Sequence, residues 1–166
     1  MLNLLQPRLS VASIFDLDIG VLRTRGYRGL IMDLDNTLVA WNHPDAPQEL
    51  LDWLATVRRY GIEMCIVSNN LGQRVEDFAT KIGVSFIAKA AKPRRRAFRL
   101  AMRKMGTHHG NTAVVGDQVF TDILGGNRLK LFTILVRPMA TEEFWTTRLV
   151  RMVEHRMVRR HLPHHS

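Results

Sequence analysis

Residues 31–39 read Ile-Met-Asp-Leu-Asp-Asn-Thr-Leu-Val, so Asp33 and Asp35 sit one residue apart where an apolar run stops, with Thr37 two positions on. Three more polar clusters follow apolar runs: Ser68-Asn69-Asn70, Lys89-Ala-Ala-Lys92-Pro93, and Gly116-Asp117 with Asp122 a little further along. Asp33, Asp35, Asp117 and Asp122 offer hard oxygen ligands of the kind Mg²⁺ takes alongside waters and a substrate phosphate. Acids gathered this closely repel one another, and a divalent cation is their natural neutraliser. Ser68 and Lys92 supply a hydroxyl donor and a cation, both suited to the equatorial oxygens of a phosphoryl group. A helix starting after Pro93 would aim backbone N–H groups at the same anion. The chemistry this set points to is phosphoryl transfer, with an aspartate as nucleophile and a metal as clamp.

Such a site requires four distant segments to meet at one edge. From residue 29 onward, short apolar runs alternate with amphipathic stretches. The pattern predicts strands over 29–32, 62–67, 84–87, 112–115 and 131–136, with helices over 47–60, 72–82, 94–105, 120–129 and 142–160. Gly61, Gly83 and Gly106 stand where three of those helices should stop. Strict alternation implies βαβ crossovers, hence an α/β fold with a mostly parallel, five-stranded sheet in three Rossmann-like layers. In such sheets ligands bind beyond the carboxyl ends of the strands, where all four polar clusters fall. The chain reads as a single domain: an N-terminal extension (1–27), a catalytic core (28–136) and a basic C-terminal helix (140–161).

The Asp-x-Asp triplet occurs twice. Asp16 and Asp18 follow only Ile14-Phe15, precede Ile19-Gly20, and lie ahead of the first βα unit. They are expected to belong to a surface or capping segment, leaving Asp33 and Asp35 as the reactive pair.

The order Asp-x-Asp-x-Thr, Ser, Lys-Pro, Gly-Asp-x-x-x-x-Asp resembles the haloacid dehalogenase (HAD) superfamily of phosphatases, over about residues 28–136. Within it, IMDLDNTLV, IVSNN and VVGDQVFTDILGGNRLKLFTILV look like the YqeG-type subgroup of class IIIA, which is similar to phosphatidylglycerophosphate phosphatases. The resemblance implies that Asp33 is the nucleophile, and that Asp35 protonates the leaving alcohol and then activates water. It implies Mg²⁺ held by Asp33, the Asp35 carbonyl and Asp117, with Asp122 as ligand or outer support. Ser68 and Lys92 would hold the phosphoryl group, and Asn69, grouped with them at the phosphate, would with Thr37 order the surrounding loops. Trp41 and His43 are read as loop-packing residues.

Between Thr37 and Ser68, and again between Ser68 and Lys92, there is room for helix and strand but not for a folded cap. An open crevice suits substrates that bring their own bulk, such as a lipid at a bilayer, a protein or a nucleic acid end.

The 166-residue chain carries a formal charge of +9 and a pI near 10.8, which favours anionic partners. Residues 89–104 hold eight Lys or Arg and no acid. Arg95, Arg96, Arg99 and Arg103 should share one helix face, opposite Ala97, Phe98, Ala101 and Met105. On the final helix Arg148, Arg151, His155 and Arg159 form a similar stripe. Such faces suit either solvent or an anionic membrane surface. The expected substrate is a phosphomonoester, such as the head group of phosphatidylglycerophosphate. Alternatives are a nucleotide, nucleic acid end or sugar phosphate, or a non-catalytic RNA- or ribosome-binding role. The low aromatic content, 7%, weighs against a nucleic acid track, and the intact acid set weighs against the non-catalytic role. The single Cys65 excludes a disulfide framework. With no membrane span in the sequence, the expected location is cytoplasmic, peripheral at the membrane.

Overall fold

The structure is a computed structural model that describes residues 3–139; the helix expected over 142–160 lies outside them. Six strands form one sheet: β1 (Leu9–Val11), β2 (Gly29–Met32), β3 (Glu63–Val67), β4 (Ser85–Ile87), β5 (Thr112–Gly116) and β6 (Phe132–Val136). Their order is β1-β6-β5-β2-β3-β4, and every pairing is parallel. The helices are α1 (Ile19–Thr24), α2 (Gln48–Arg59), α3 (Gly72–Ile82), α4 (Arg95–Met105) and α5 (Leu124–Asn127).

Alternation along the strands builds two cores. Leu30 and Met32 of β2 face one side with Met64 and Ile66 of β3, where they meet Leu54 and Val57 of α2 and Val75 and Phe78 of α3. Ile31, Cys65, Val67 and Val114 face the other side, against Ala97, Phe98, Ala101 and Met105 of α4. Continuous apolar strands are therefore satisfied on both faces. The Arg95, Arg96, Arg99 and Arg103 face of α4 is exposed. Burial pushes the Cys65 thiol up to about 12, so it behaves as an inert core residue.

The sheet has one strand more than expected. Residues 9–11 pair with β6 in parallel, Leu9 opposite Ile134 and Val11 opposite Val136. Behind them Ile14, Leu17, Ile19 and Leu22 are buried in the first core, so the N-terminal segment is part of the fold. A three-residue edge strand with two exposed positions carries no readable periodicity. Asp16 and Asp18 do cap: Asp16 accepts from the Ser13 N–H and Asp18 caps α1 through the Val21 N–H. The expected helix over 120–129 begins instead as a wide π-type turn, Val119–Ile123, before α5.

The topology places the site. β2 is central, with β3 on one side and β5 on the other. The chain moves outward from β2 to β4, then returns to start β5 beside β2, so strand order reverses between β2 and β5. The carboxyl ends of those two strands border the crevice that such a reversal opens. Close packing holds it there: a side chain at Gly125 would strike Phe98, and one at Gly126 would strike Val114 and Thr133. No described helix is long and apolar enough to cross a membrane.

Candidate active site

Asp33 follows β2 directly, and Asp117 follows β5 directly. Asp122 comes from the π-type turn, which folds it back over Gly116; a side chain there would collide with the Asp122 carboxylate. One carboxylate oxygen from each of Asp33, Asp117 and Asp122 lies within 4.8 Å of the others. Lys92 enters from the loop after β4 and donates to Asp33 Oδ1 at 2.8 Å and Asp122 Oδ1 at 2.6 Å. All four side chains are buried.

Position in that loop is held locally. Lys89 and Ala91 adopt positive φ, an uncommon conformation for residues with a side chain. Asn69 grips the Lys92 backbone from both sides, its Oδ1 accepting from the Lys92 N–H at 2.7 Å and its Nδ2 donating to the Lys92 carbonyl at 3.3 Å. Ser68, buried at the end of β3, accepts from the Asn70 N–H at 3.1 Å, which leaves its own proton free to donate. Thr37 donates to Asp117 Oδ1 at 3.2 Å.

The electrostatics are those of a site built around a cation. Burial, then repulsion from Asp33 and Asp122, pushes the Asp117 carboxyl up to about 9. Burial raises Asp122 to about 6 against the pull of Lys92. For Lys92 burial alone favours the neutral amine, but attraction to Asp122 and Asp33 outweighs it and holds the ammonium charged. Asp117 Oδ2 is buried with no hydrogen-bond partner. An orphaned carboxylate oxygen within a group of acids is a donor set that fits a hard divalent ion.

Residues 89–152 match the HAD-hydrolase-like family. Over 152 residues the chain is 43% identical to the probable phosphatase YqeG of Bacillus subtilis (strain 168), covering 92% of this chain and 88% of that protein. The chain belongs to the YqeG family of HAD-superfamily phosphatases. It is also 27% identical to phosphatidylglycerophosphate phosphatase 1 of Arabidopsis thaliana, over 94% of its own length but only about half, 48%, of that protein's. Among solved structures it shares its fold with an uncharacterized protein from Listeria monocytogenes serotype 4b (TM-score 0.58, 18% identity, covering 70% of this chain and 83% of that one). A protein from Corynebacterium glutamicum is similar as well (TM-score 0.56, 20% identity, covering 78% and 94%). HAD phosphatases generally use a divalent metal, and Asp33, Asp117 and Asp122 form an acidic cluster that could hold one. No cap domain is present among the described residues.

Asp35 sits apart from the acid cluster's hydrogen bonds. Both its oxygens are held by Arg74 of α3, Oδ1 at 2.8 Å and Oδ2 at 3.0 Å. Asn70 Nδ2 also donates to Oδ2, and the Asn42 N–H to Oδ1 at 3.0 Å. None of Arg74, Asn70 and Asn42 stood out in the sequence as a site residue. Asn70 adjoins Ser68-Asn69 and offered a faint signal; Arg74 lies in an ordinary helical turn and offered none. Arg74 also donates to the His43 carbonyl at 3.1 Å, which ties α3 to the loop after β2.

Proposed function

We propose that the protein is a Mg²⁺-dependent phosphomonoester hydrolase that works through an aspartyl-phosphate on Asp33, with an anionic phospholipid head group such as phosphatidylglycerophosphate as substrate. The observation that carries this reading is the convergence of Asp33, Asp117 and Asp122 on one point with Lys92 between two of them.

Asp33 attacks phosphorus while the bond to the leaving alcohol breaks, and Asp35 gives that oxygen its proton. A water molecule then loses a proton to Asp35 and attacks the same phosphorus, releasing inorganic phosphate and restoring the Asp33 carboxylate. Lys92 and the Ser68 hydroxyl neutralise and orient the transferring oxygens, while Asn69 and Thr37 hold Lys92 and Asp117 in place. When bound by Asp33, Asp117, Asp122 and the Asp35 carbonyl, Mg²⁺ supplies charge neutralisation for the acids and the phosphoryl group.

The lipid assignment draws on three features. The 43% identical relative and the two plant-type relatives are named as phosphatases, the latter of phosphatidylglycerophosphate. Among the described residues no cap encloses the crevice, which leaves space for a large alcohol. A groove of about 530 Å³ opens between Asn42, His43, Pro44 and α3 residues Arg74, Phe78 and Lys81, next to the Asp35 clamp.

A phosphate-release assay across lipid, sugar, nucleotide and oligonucleotide-end monoesters tests the assignment, with Asp33→Asn as the blank. The expected result is Mg²⁺-dependent release with the lipid preferred. Turnover of a soluble sugar phosphate or nucleotide far above the lipid would reject the lipid substrate and leave the phosphatase intact.

A further inference from the structure

Four large apolar side chains stand exposed around the mouth of the crevice. Trp41, Leu71, Phe120 and Met139 are each between 41% and 74% exposed. They come from the segments after β2, β3, β5 and β6, so four loops each present one at the same sheet edge. Hydrogen bonds fix that placement. The Trp41 N–H donates to Asn36 Oδ1 at 3.1 Å, and the Met139 N–H donates to the Asn36 carbonyl at 3.3 Å, so both border the residue next to Asp35. Leu71 follows Asn70, which donates to Asp35. Phe120 lies between Asp117 and Asp122 in the chain.

Scattered exposed apolar residues are ordinary. Four of them at one sheet edge, around a phosphate-directed site, are not scattered. Their charged neighbours narrow the partner. Lys89, Arg94 and Arg137 are exposed on the loops at this same edge. Among the described residues of those loops the exposed carboxylate is Asp45, and Lys81 neutralises it at 2.7 Å. Beyond Met139 the sequence continues with Arg148, Arg151, Arg156, Arg159 and Arg160 against Glu142, Glu143 and Glu154. An apolar rim interleaved with uncompensated cations matches the boundary of a bilayer, where acyl chains lie below a layer of anionic head groups.

We infer that the crevice rim formed by Trp41, Leu71, Phe120 and Met139 docks onto a bilayer rich in anionic lipid, so that the crevice opens onto the head-group layer. The choice of a phosphomonoester lipid as what enters the crevice rests on the function proposed above; the docking surface does not. The four side chains enter the interface, the flanking cations pair with lipid phosphates, and Asp33 faces the layer from which its substrate projects. Binding strengthens with the fraction of anionic lipid and weakens with salt.

The test uses the full chain and vesicles of phosphatidylcholine with and without phosphatidylglycerol, a lipid that carries no phosphomonoester, so binding is read without turnover. Co-sedimentation is measured for the native chain, for Leu71→Ser/Phe120→Ser, and for Val21→Ser/Tyr60→Ser, which alters exposed groups on α1 and the far end of α2, away from the rim. The native chain and the distant variant are expected to bind anionic vesicles alike. The rim variant is expected to bind at least about tenfold more weakly with an unchanged melting temperature. Equal binding by the rim and native chains would overturn the inference. So would no binding by the native chain to anionic vesicles, or a native dimer that the rim substitutions convert to monomer, since a second copy would then cover the rim. Phosphate release from soluble p-nitrophenyl phosphate by the native chain is scored separately, so failure of the phosphatase reading and failure of the docking surface give different results.

Discussion

Arg74 holds Asp35 by both carboxylate oxygens, at 2.8 and 3.0 Å, in a fork from the first turn of α3. In the proposed mechanism Asp35 meets the leaving oxygen and later a water, so its carboxyl has to be aimed, and a planar guanidinium aims it as a point charge cannot. Arg74 is thus a positioning residue for Asp35, tied in turn to the His43 carbonyl.

Arg74→Ala should lower kcat on a soluble monoester by about tenfold with KM little changed, because the loss is in alignment and not in phosphate binding. Arg74→Lys should restore only part of it. Steady-state kinetics on the three proteins separates this from a purely structural role, which would move melting temperature more than kcat.

Lys92 stands between Asp33 and Asp122 with almost no exposure. Lys92→Met leaves two carboxylates facing each other without their shared cation. The metal-free variant should lose on the order of 3 kcal/mol in urea unfolding, and added Mg²⁺ should recover a larger share of stability than it adds to the native chain.

The Asp117 carboxyl is raised to about 9 from 3.8, through burial and then repulsion from Asp33 and Asp122. The folded chain therefore keeps a proton that the unfolded chain releases above 3.8. Between about pH 4 and pH 9 the folded state binds more protons, so the stability of the metal-free protein falls as pH rises through that window. Asp122, raised to about 6, acts in the same direction over the lower part. Thermal melts should show this decline without Mg²⁺ and its relief with Mg²⁺, which competes with those protons and binds better at higher pH. Asp117→Asn should flatten the decline, raise the metal-free melting temperature and abolish the response to Mg²⁺.

Much of this site could be read from residue type alone. Asp33, Ser68 and Asp117 each end an apolar run, Lys92 lies in the loop that follows another, and parallel topology brings all such ends to one edge. What stayed hidden depended on three-dimensional proximity. Arg74 looks like any helical arginine until α3 packs beside the loop after β2. Residues 9–11 become a strand only because β6 offers an open edge, and their own pattern is mostly exposed. Asn69 carries no sign that both ends of its amide serve the Lys92 backbone.

Gly116 stands in the sequence motif, but its relation to Asp122 shows only in three dimensions. The Asp122 carboxylate lies over its Cα, so a methyl group there has no room. Gly116→Ala should displace Asp122 from Lys92 and reduce kcat/KM by roughly a hundredfold, with Mg²⁺ affinity weakened in a calorimetric titration. Unaltered kinetics would mean that Asp122 has no part in positioning Lys92.

The central claim, that Asp33 is the nucleophile of a site gathered from four strand ends, is tested most directly by trapping its phosphoryl group. Asp35→Asn is mixed with Mg²⁺ and radiolabelled p-nitrophenyl phosphate, whose leaving group needs no proton, and quenched within one turnover. A nucleophilic Asp33 should leave a hydroxylamine-labile label on the peptide that contains it, absent when Asp33 is also changed to Asn. Label on another residue, or native turnover with no dependence on Asp33, would contradict it.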